Sequence, residues 1–531
     1  FRRCAARSKK PSSTMAARHS SATGPKVLML AALLSACATL PPAEPVTEPV
    51  VRVTETNNEL AQVVSALRAN RDNLTGIYPL SDSHDSFAAR ASLIQAAEHT
   101  LDLQYYIWHN DVAGQLLAHA LMQAADRGVK VRLLLDDNNT NGLDALMLRL
   151  DAHPNIQVRL FNPFVNRKFR FMGYLTEFKR LNRRMHNKAF IVDQQAAILG
   201  GRNIGDEYFG NGDGVMFMDL DVLAVGEVTE DVSADFERYW RSPSSYALAQ
   251  ILGEKKVHTP KEKLSPEARN KRQEDRATYL QKIKESDFAS ELQQQRLPLQ
   301  WSKAKLVSDD PAKALGSNRK IERHIVDELS QALGEPKQSF LIVSPYFVPT
   351  KTGTHELIQL ANSGIDITIL TNSLAATDVA PVHSGYAKYR KPLLRAGINL
   401  YELKPTVNKP VIFKDRGLTG SSGSSLHAKT IAVDNETLFI GSFNMDPRSA
   451  NLNTENGVVI HNPELTRHFK QTLLSNVPIN AYEVQLDDKQ RLVWLEHSDS
   501  GVTVYHHEPK ASWLKRTMVK FLSWLPLEPL L

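Results

Sequence analysis

His186-Asn187-Lys188 opens a pattern in the first half of the chain. Four residues separate Lys188 from Asp193, and six separate Asp193 from Gly200-Gly201-Arg202-Asn203. His427-Ala428-Lys429 opens it again with the same gaps, through Asp434 to Gly441-Ser442-Phe443-Asn444. A lone His-x-Lys carries no information, because an isolated histidine is more often a core residue than a catalyst. Two copies with every spacing kept are a different matter, and they read as an internal repeat.

The residue types suit phosphodiester chemistry. Without a metal, cleavage needs a nucleophile on phosphorus and an acid for the departing alkoxide, and two imidazoles can supply both. The negative oxygens on phosphorus call for fixed cations and amide donors, which Lys188, Lys429, Asn203 and Asn444 can provide. On these residues the chain resembles the phospholipase D superfamily, whose signature is the doubled His-Lys-Asp pattern. The stretch Asn182-Arg183-Arg184-Met185-His186-Asn187-Lys188, with Asp446-Pro447-Arg448-Ser449 and Leu452-Asn453-Thr454-Glu455, is most similar to bacterial cardiolipin synthases of the C type.

That resemblance implies an α/β fold of two pseudo-twofold-related domains, each a mixed, largely parallel sheet flanked by helices, with both histidines at one pocket. It implies that His186 is the nucleophile and His427 the acid/base, and that Asp193 and Asp434 are structural. Downstream, Glu455 and one of Asp219 or Asp221 hold corresponding places, where a carboxylate on Nδ1 would set the tautomer of each imidazole. The resemblance also implies that Ser442 is a hydroxyl donor to the phosphate, whereas the first half has Gly201 there. Arg183 and Arg184 are further candidates for substrate binding. No cofactor is expected, and no metal, since no Cys/His/carboxylate cluster of ligand spacing surrounds either motif.

A chain of 531 residues exceeds one core, and its 42% hydrophobic and 23% charged content is that of an ordinary globular protein. A formal charge of +6 suits an anionic membrane or nucleic acid equally. The cysteines are Cys4 and Cys37, so neither a disulfide framework nor a cysteine metal site falls in the globular region. No run of 18 apolar residues spans a bilayer.

The chain opens on Phe1, and Met15 reads as the translational start. Arg18 and Lys26 form a basic region, Val27 to Leu34 a short apolar one, and Leu34-Ser35-Ala36-Cys37 resembles a lipobox. The expectation is a leader over 1–36 and a lipidated Cys37 with a Pro/Glu-rich tether over 37–75. Ala38 then favours the outer membrane, on its periplasmic face. The domains expected are 76–253 and 306–480, with a charged, solvated helical linker over 254–305 and a C-terminal extension over 481–531.

Leu101, Leu103, Tyr105 and Ile107 alternate as in a half-buried strand. A helix over Gly114 to Asp126, closed by Gly128, leads to a strand over Val129 to Leu135, which implies a parallel pair. Ala189 to Val192 reads as a strand buried on both faces. The second half repeats the plan with a strand at Ser339 to Val343, a helix over Glu356 to Asn362 capped by Gly364, and a strand from Ile365 to Leu370. A Gly/Ser-rich tract, Ser421 to Ser425, approaches His427. Near the C-terminus, Leu514, Met518, Phe521 and Leu525 form one apolar helical face, which packs on the core or lies in a headgroup layer.

Aromatics from Phe164 to Phe178 interleave with cations from Arg167 to Arg184, as suits lipid headgroups or single-stranded nucleic acid. The resemblance favours lipid. The leading function is a phosphatidyltransferase making cardiolipin from phosphatidylglycerol and a second phospholipid through a phosphohistidine. The alternatives are a phospholipase D-type hydrolase, a nuclease, or an inactive membrane-binding protein. The expected partners are anionic and zwitterionic membrane phospholipids, with room for an accessory protein and no nucleic acid.

Overall fold

The strand expected from Leu101 onward is β2 (Thr100–Tyr105), one of twenty among the described residues of a computed structural model. Those residues are 40–51, 53, 58–211, 216–253, 266–294, 296–316, 321–405 and 424–531. The leader, Cys37, residues 254–265 and Ser421–Gly423 lie outside them. β2 is buried on both faces, and not half-buried as its alternation suggested. Its polar alternate Asp102 is covered and paired with Arg132 (2.6 Å), which also reaches Glu237 and lies over the rings of Phe236 and Trp240.

The remaining strands of the first half are β1 (Thr75–Leu80), β3 (Lys130–Asp136), β4 (Ile156–Phe161), β5 (Ala189–Val192), β6 (Ala196–Gly200), β7 (Met216–Met218), β8 (Asp221–Gly226) and β9 (Ser245–Ala247). The second half has β10 (Gln300–Ser308), β11 (Ser339–Val343), β12 (Asp366–Asn372), β13 (Asn399–Leu403), β14 (Ser424–Leu426), β15 (Lys429–Val433), β16 (Thr437–Gly441), β17 (Asn456–His461), β18 (Ala481–Leu486), β19 (Leu492–Ser498) and β20 (Gly501–Tyr505). Helix Val112–Asp126 joins β2 to β3. Asp111 caps its start by accepting from Gly114 N (2.9 Å), and Gly128, at φ +102°, turns the chain out of it. In the second half the helix before Gly364 begins at Thr350, earlier than expected.

Eighteen strands form one sheet, in the order β9-β4-β3-β2-β5-β6-β8-β1-β10-β17-β16-β15-β11-β12-β13-β18-β19-β20. Read outward from the central β1–β10 pair, each strand of one half meets its counterpart in the other. Within this sheet parallel pairing is confined to β2-β3-β4 and β11-β12-β13, and β7 and β14 form a separate parallel pair between the halves. The sheet is therefore mixed, but its parallel part is smaller than expected. Tight turns such as that from β5 to β6 can only reverse the strand direction, whereas a parallel neighbour needs a longer crossover. The inner faces of the halves share a core that includes Ile191, Leu199 and Val222 with Leu306, Leu438 and Val458. Residues Pro42–Leu531 accordingly form one compact unit.

Two expectations change. The charged segment is helical at Pro266–Lys284 and Asp287–Gln293, but it is docked and not simply solvated. Tyr279 and Phe288 are buried in the first half's outer core, and the Tyr279 hydroxyl donates to Phe209 O (3.1 Å). Residues 481–505 are not an extension either: β18 pairs with β13 as β9 pairs with β4, and β19 and β20 continue the sheet. Beyond them, helix Trp513–Leu522 buries Val519 against Leu374 and Ala511. The apolar face at Leu514, Met518, Phe521 and Leu525 points outward, so that face does not pack on the protein's own core.

Candidate active site

Each histidine is placed by a strand of its own half and fixed by a backbone contact with the other half. Met185 bridges to Thr454, and His186 N donates to Thr454 O (2.8 Å). In the mirror arrangement β14 pairs with β7, and His427 N donates to Met218 O (2.8 Å). The residue after each acceptor is the carboxylate. Glu455 Oε2 lies 2.8 Å from His186 Nδ1, and Asp219 Oδ2 lies 2.6 Å from His427 Nδ1. Both imidazole–carboxylate pairs thus cross between the halves.

The two rings line one pocket of about 380 Å³, with Asn203 and Asn444 beside them. Tyr106 meets His186 edge-on at 5.0 Å between centroids, and Tyr208 meets His427 at 5.2 Å. With Nδ1–H given to a carboxylate, each neutral ring keeps its lone pair on Nε2. Burial lowers His186 to about 4, with help from the charges on Lys188 and Lys429. Burial and Lys429 lower His427 to about 3. Burial also lowers Lys188 to about 7 and Lys429 to about 8. Burial would raise Asp219, but His427, Lys429 and Arg202 hold it down to about 2. Glu455 is likewise lowered against burial by His186 and Lys188. Around neutral pH the rings are neutral and the carboxylates charged. Asn444 Oδ1 and Glu455 Oε1 are buried without a partner among the described residues.

His186, Lys188, His427, Lys429, Asn203, Asn444, Glu455 and Asp219 are therefore brought together. Lys188 Nζ donates to His186 O (2.5 Å), and Lys429 Nζ lies 3.0 Å from His427 Nδ1. Asn203 is turned towards its own half, accepting from Ile107 N and donating to the Tyr208 hydroxyl.

Three candidates are placed elsewhere, and a fourth, Ser442, sits behind the site and not at the phosphate. Asp221 is two residues along the strand and faces away from His427, pairing with Arg90 (2.8 Å) and Ser86 (2.9 Å). Arg184 is buried on Asp136 (3.0 Å), and Arg183 donates to the carbonyls of Lys313 and Asn451; neither lines the pocket. Ser442 is fully buried, and its hydroxyl donates to Glu455 Oε2 (2.5 Å), which occupies the donor expected to meet phosphate. Asp193 and Asp434 lie away from the pocket. They accept from the backbone amides of Glu98, His99 and Thr100 in one half and Lys337, Gln338 and Ser339 in the other.

Tyr106, Tyr208, Tyr346, Asp378 and Arg448 line the pocket and were not singled out as site residues. Arg448 belongs to the quoted Asp446-to-Ser449 stretch, and Tyr346 lies just past the expected strand at Ser339 to Val343, so the available signals were the quoted stretch and an aromatic next to a strand end. Arg448 binds Asn182 Oδ1 (2.6 Å) and Leu530 O (3.0 Å), tying three segments at the rim. Among the described residues His109, Asp111 and Glu207 bring possible ligand atoms within 4.8 Å of one another, and Glu207 also reaches the pocket wall.

A fold of two equivalent halves with one shared two-histidine pocket defines a phospholipase D-like protein. The family model described as "Cardiolipin synthase, PLD-like domain" matches residues 91–240 and 329–476, and the chain belongs to that family. It is 48% identical over 475 residues to cardiolipin synthase C of Escherichia coli (strain K12), covering 89% of this chain and 99% of that one. It is 26% identical to the major cardiolipin synthase ClsA of Bacillus subtilis (strain 168), covering 79% of this chain and 73% of that one. The crystal structure of phosphatidylserine synthase from Haemophilus influenzae Rd KW20 shares the fold, with a TM-score of 0.54 at 14% identity. It covers 88% of this chain and all of that one.

Proposed function

We propose that the protein is a phosphatidyltransferase that makes cardiolipin from phosphatidylglycerol and a second phospholipid. The observation that carries this is the pair of imidazoles lining a single pocket, each backed by a carboxylate from the opposite half, with Lys188 and Lys429 buried beside them. Family membership and the similarity to named cardiolipin synthases support the lipid substrate.

His186 Nε2 attacks phosphorus as the P–O bond to the departing alcohol breaks, and that oxygen takes a proton from His427. A hydroxyl of phosphatidylglycerol then gives its proton to His427 and attacks phosphorus as the P–N bond breaks. Water in place of that hydroxyl would give phosphatidic acid, so exclusion of water decides transfer against hydrolysis. The anionic diester offsets Lys188 and Lys429 and raises the proton affinity of both rings, which lets His427 act as an acid. Purified protein with labelled phosphatidylglycerol, alone and with phosphatidylethanolamine, tests the reading. Phosphatidic acid without cardiolipin in both would replace it with a hydrolase.

The chemistry needs no metal, so turnover should survive EDTA. Loss restored by one divalent ion would direct attention to His109, Asp111 and Glu207. Lipidation of Cys37 and an envelope location on the periplasmic face of the outer membrane complete the proposal. An unacylated mature N-terminus on mass spectrometry would remove that anchor.

A further inference from the structure

Two exposed apolar patches lie at the same end of the molecule as the catalytic pocket. Tyr106 directly follows β2, while Tyr346 and Asp378 follow β11 and β12; all three line the pocket, so the parallel strands of both halves point their C-terminal ends at it. The first patch follows β4, in the same ladder. There Phe171 is 64% and Leu175 74% exposed, with Phe169 and Phe178 also exposed. It is tied to the site through the Tyr174 hydroxyl on Asn138 (2.6 Å), which contacts the Tyr106 hydroxyl (3.3 Å).

The second patch is the outward face of helix Trp513–Leu522 and the turn after it, with Trp513 at 71% and Trp524 at 73% exposure. This helix sits on the segment after β12, where Lys515 Nζ donates to Thr377 O (3.3 Å) beside Asp378. Arg448 holds both segments, one through Asn182 and the other through Leu530. The patches therefore flank the pocket and are joined at its rim.

Their charge is one-signed. Within residues 165–182 and 510–531 the exposed charged side chains are Lys168, Lys179, Lys510 and Lys520, while Glu177 and Glu528 are partly covered and paired with Arg180 and Lys388. A helix of ten residues is about 15 Å long, half of a hydrocarbon core, so it can lie in a membrane plane but not cross it. Exposed aromatic and aliphatic side chains ringed by lysines match the interface of an anionic bilayer.

We propose that these two patches together form the membrane-docking surface, seating the pocket mouth on a bilayer rich in anionic phospholipid. The biological sense of this rests on the lipid substrate proposed above. The docking itself does not depend on turnover.

The test uses the full chain with phosphatidylglycerol or phosphatidylcholine vesicles carrying brominated acyl chains, which quench tryptophans that enter the bilayer. Trp108, Trp240 and Trp494 are buried, and Trp301 is partly covered against the first half's core under Arg71, so quenching reports mainly Trp513 and Trp524. Strong quenching is expected with phosphatidylglycerol and weak quenching with phosphatidylcholine. It should vanish in W513F/W524F and return when Phe171→Trp is added to that variant. The triple change F169S/F171S/L175S should weaken partition about tenfold or more, with circular dichroism unchanged and turnover of a short-chain soluble phosphodiester kept. Unquenched Trp513 and Trp524 on vesicles that hold the protein would overturn the proposal, as would a silent Trp at 171. So would patch variants that change sedimentation mass and not vesicle binding, which would make this face a contact between copies. Absence of turnover in the wild type with quenching intact would instead strike the proposed activity and leave the docking surface standing.

Discussion

The two half-sites do the same job with different parts. His186 is backed by Glu455, whose Oε2 also accepts from Ser442 Oγ. His427 is backed by Asp219, and the residue matching Ser442 is Gly201. A Cβ at Gly201 would stand 2.1 Å from Asp219 Oδ1, so glycine is needed there for steric reasons. The shorter carboxylate sits where the serine side chain would be, and the longer one leaves room for it. Gly-with-Asp and Ser-with-Glu are two packings of one design, and Gly201 is not a missing phosphate ligand. The rings also differ in surroundings: His427 is flanked by Phe217 as well as Tyr208.

The largest expected effect comes from the histidines. His186→Ala or His427→Ala should each lower turnover by about 10⁴-fold or more, and the double variant little further, because the two act as one unit. Enzyme trapped with labelled substrate and denatured without acid should carry a phosphatidyl group on His186, and an adduct on His427 alone would exchange the roles. Next are the carboxylates: Glu455→Gln and Asp219→Asn should each cost about 10²–10⁴-fold by disturbing the tautomer of the facing ring. Glu455→Gln should act mainly on formation of the His186 adduct, through the nucleophile, whereas Asp219→Asn should slow both formation and breakdown, because His427 gives the proton in one step and takes it in the other. Equal effects on formation and breakdown in both variants would erase the distinction between the half-sites.

The Gly/Ser exchange gives a smaller contrast. Gly201→Ser should approach the loss seen with Asp219→Asn, whereas Ser442→Gly should cost about tenfold, the worth of one hydrogen bond to a charged group. An active Gly201→Ser enzyme would show that the first half tolerates the second half's packing. The smallest effect is spectroscopic. In the ligand-free enzyme both rings should stay neutral down to about pH 5 by NMR, since their pKa values are lowered to about 4 and about 3 and protons are taken up only below those values. Adding a phosphate mimic such as vanadate should move both titrations upward.

The doubled motif was legible because spacing survives translation into strands: β5 and β6, like β15 and β16, occupy the gaps between Lys and Gly. What pairs with what was not legible. Asp219 and Asp221 are equally good in sequence, and the ladder setting Gly200 opposite Asp221 decides between them by turning Asp221 to Arg90. No repeat can state that a carboxylate serves the other half's histidine. Arg183 and Arg184 misled because cations near a motif look alike until Asp136, almost fifty residues upstream, is seen to bury one of them. The C-terminal helix showed an apolar stripe but not its medium. Val519 faces inward with Lys515 reaching across it, and the stripe itself is left outside.

The crossed wiring of the two halves also sets an order of birth. A ribosome that has finished the first half has made His186 and Asp219 but neither of their partners, Glu455 and His427. A growing chain therefore holds no backed imidazole until residue 427 has emerged, and not both until 455. The nascent protein is inert towards the phospholipids it passes, with no separate inhibitor required. A chain stopped between the two histidines should fold part of its sheet and turn over nothing.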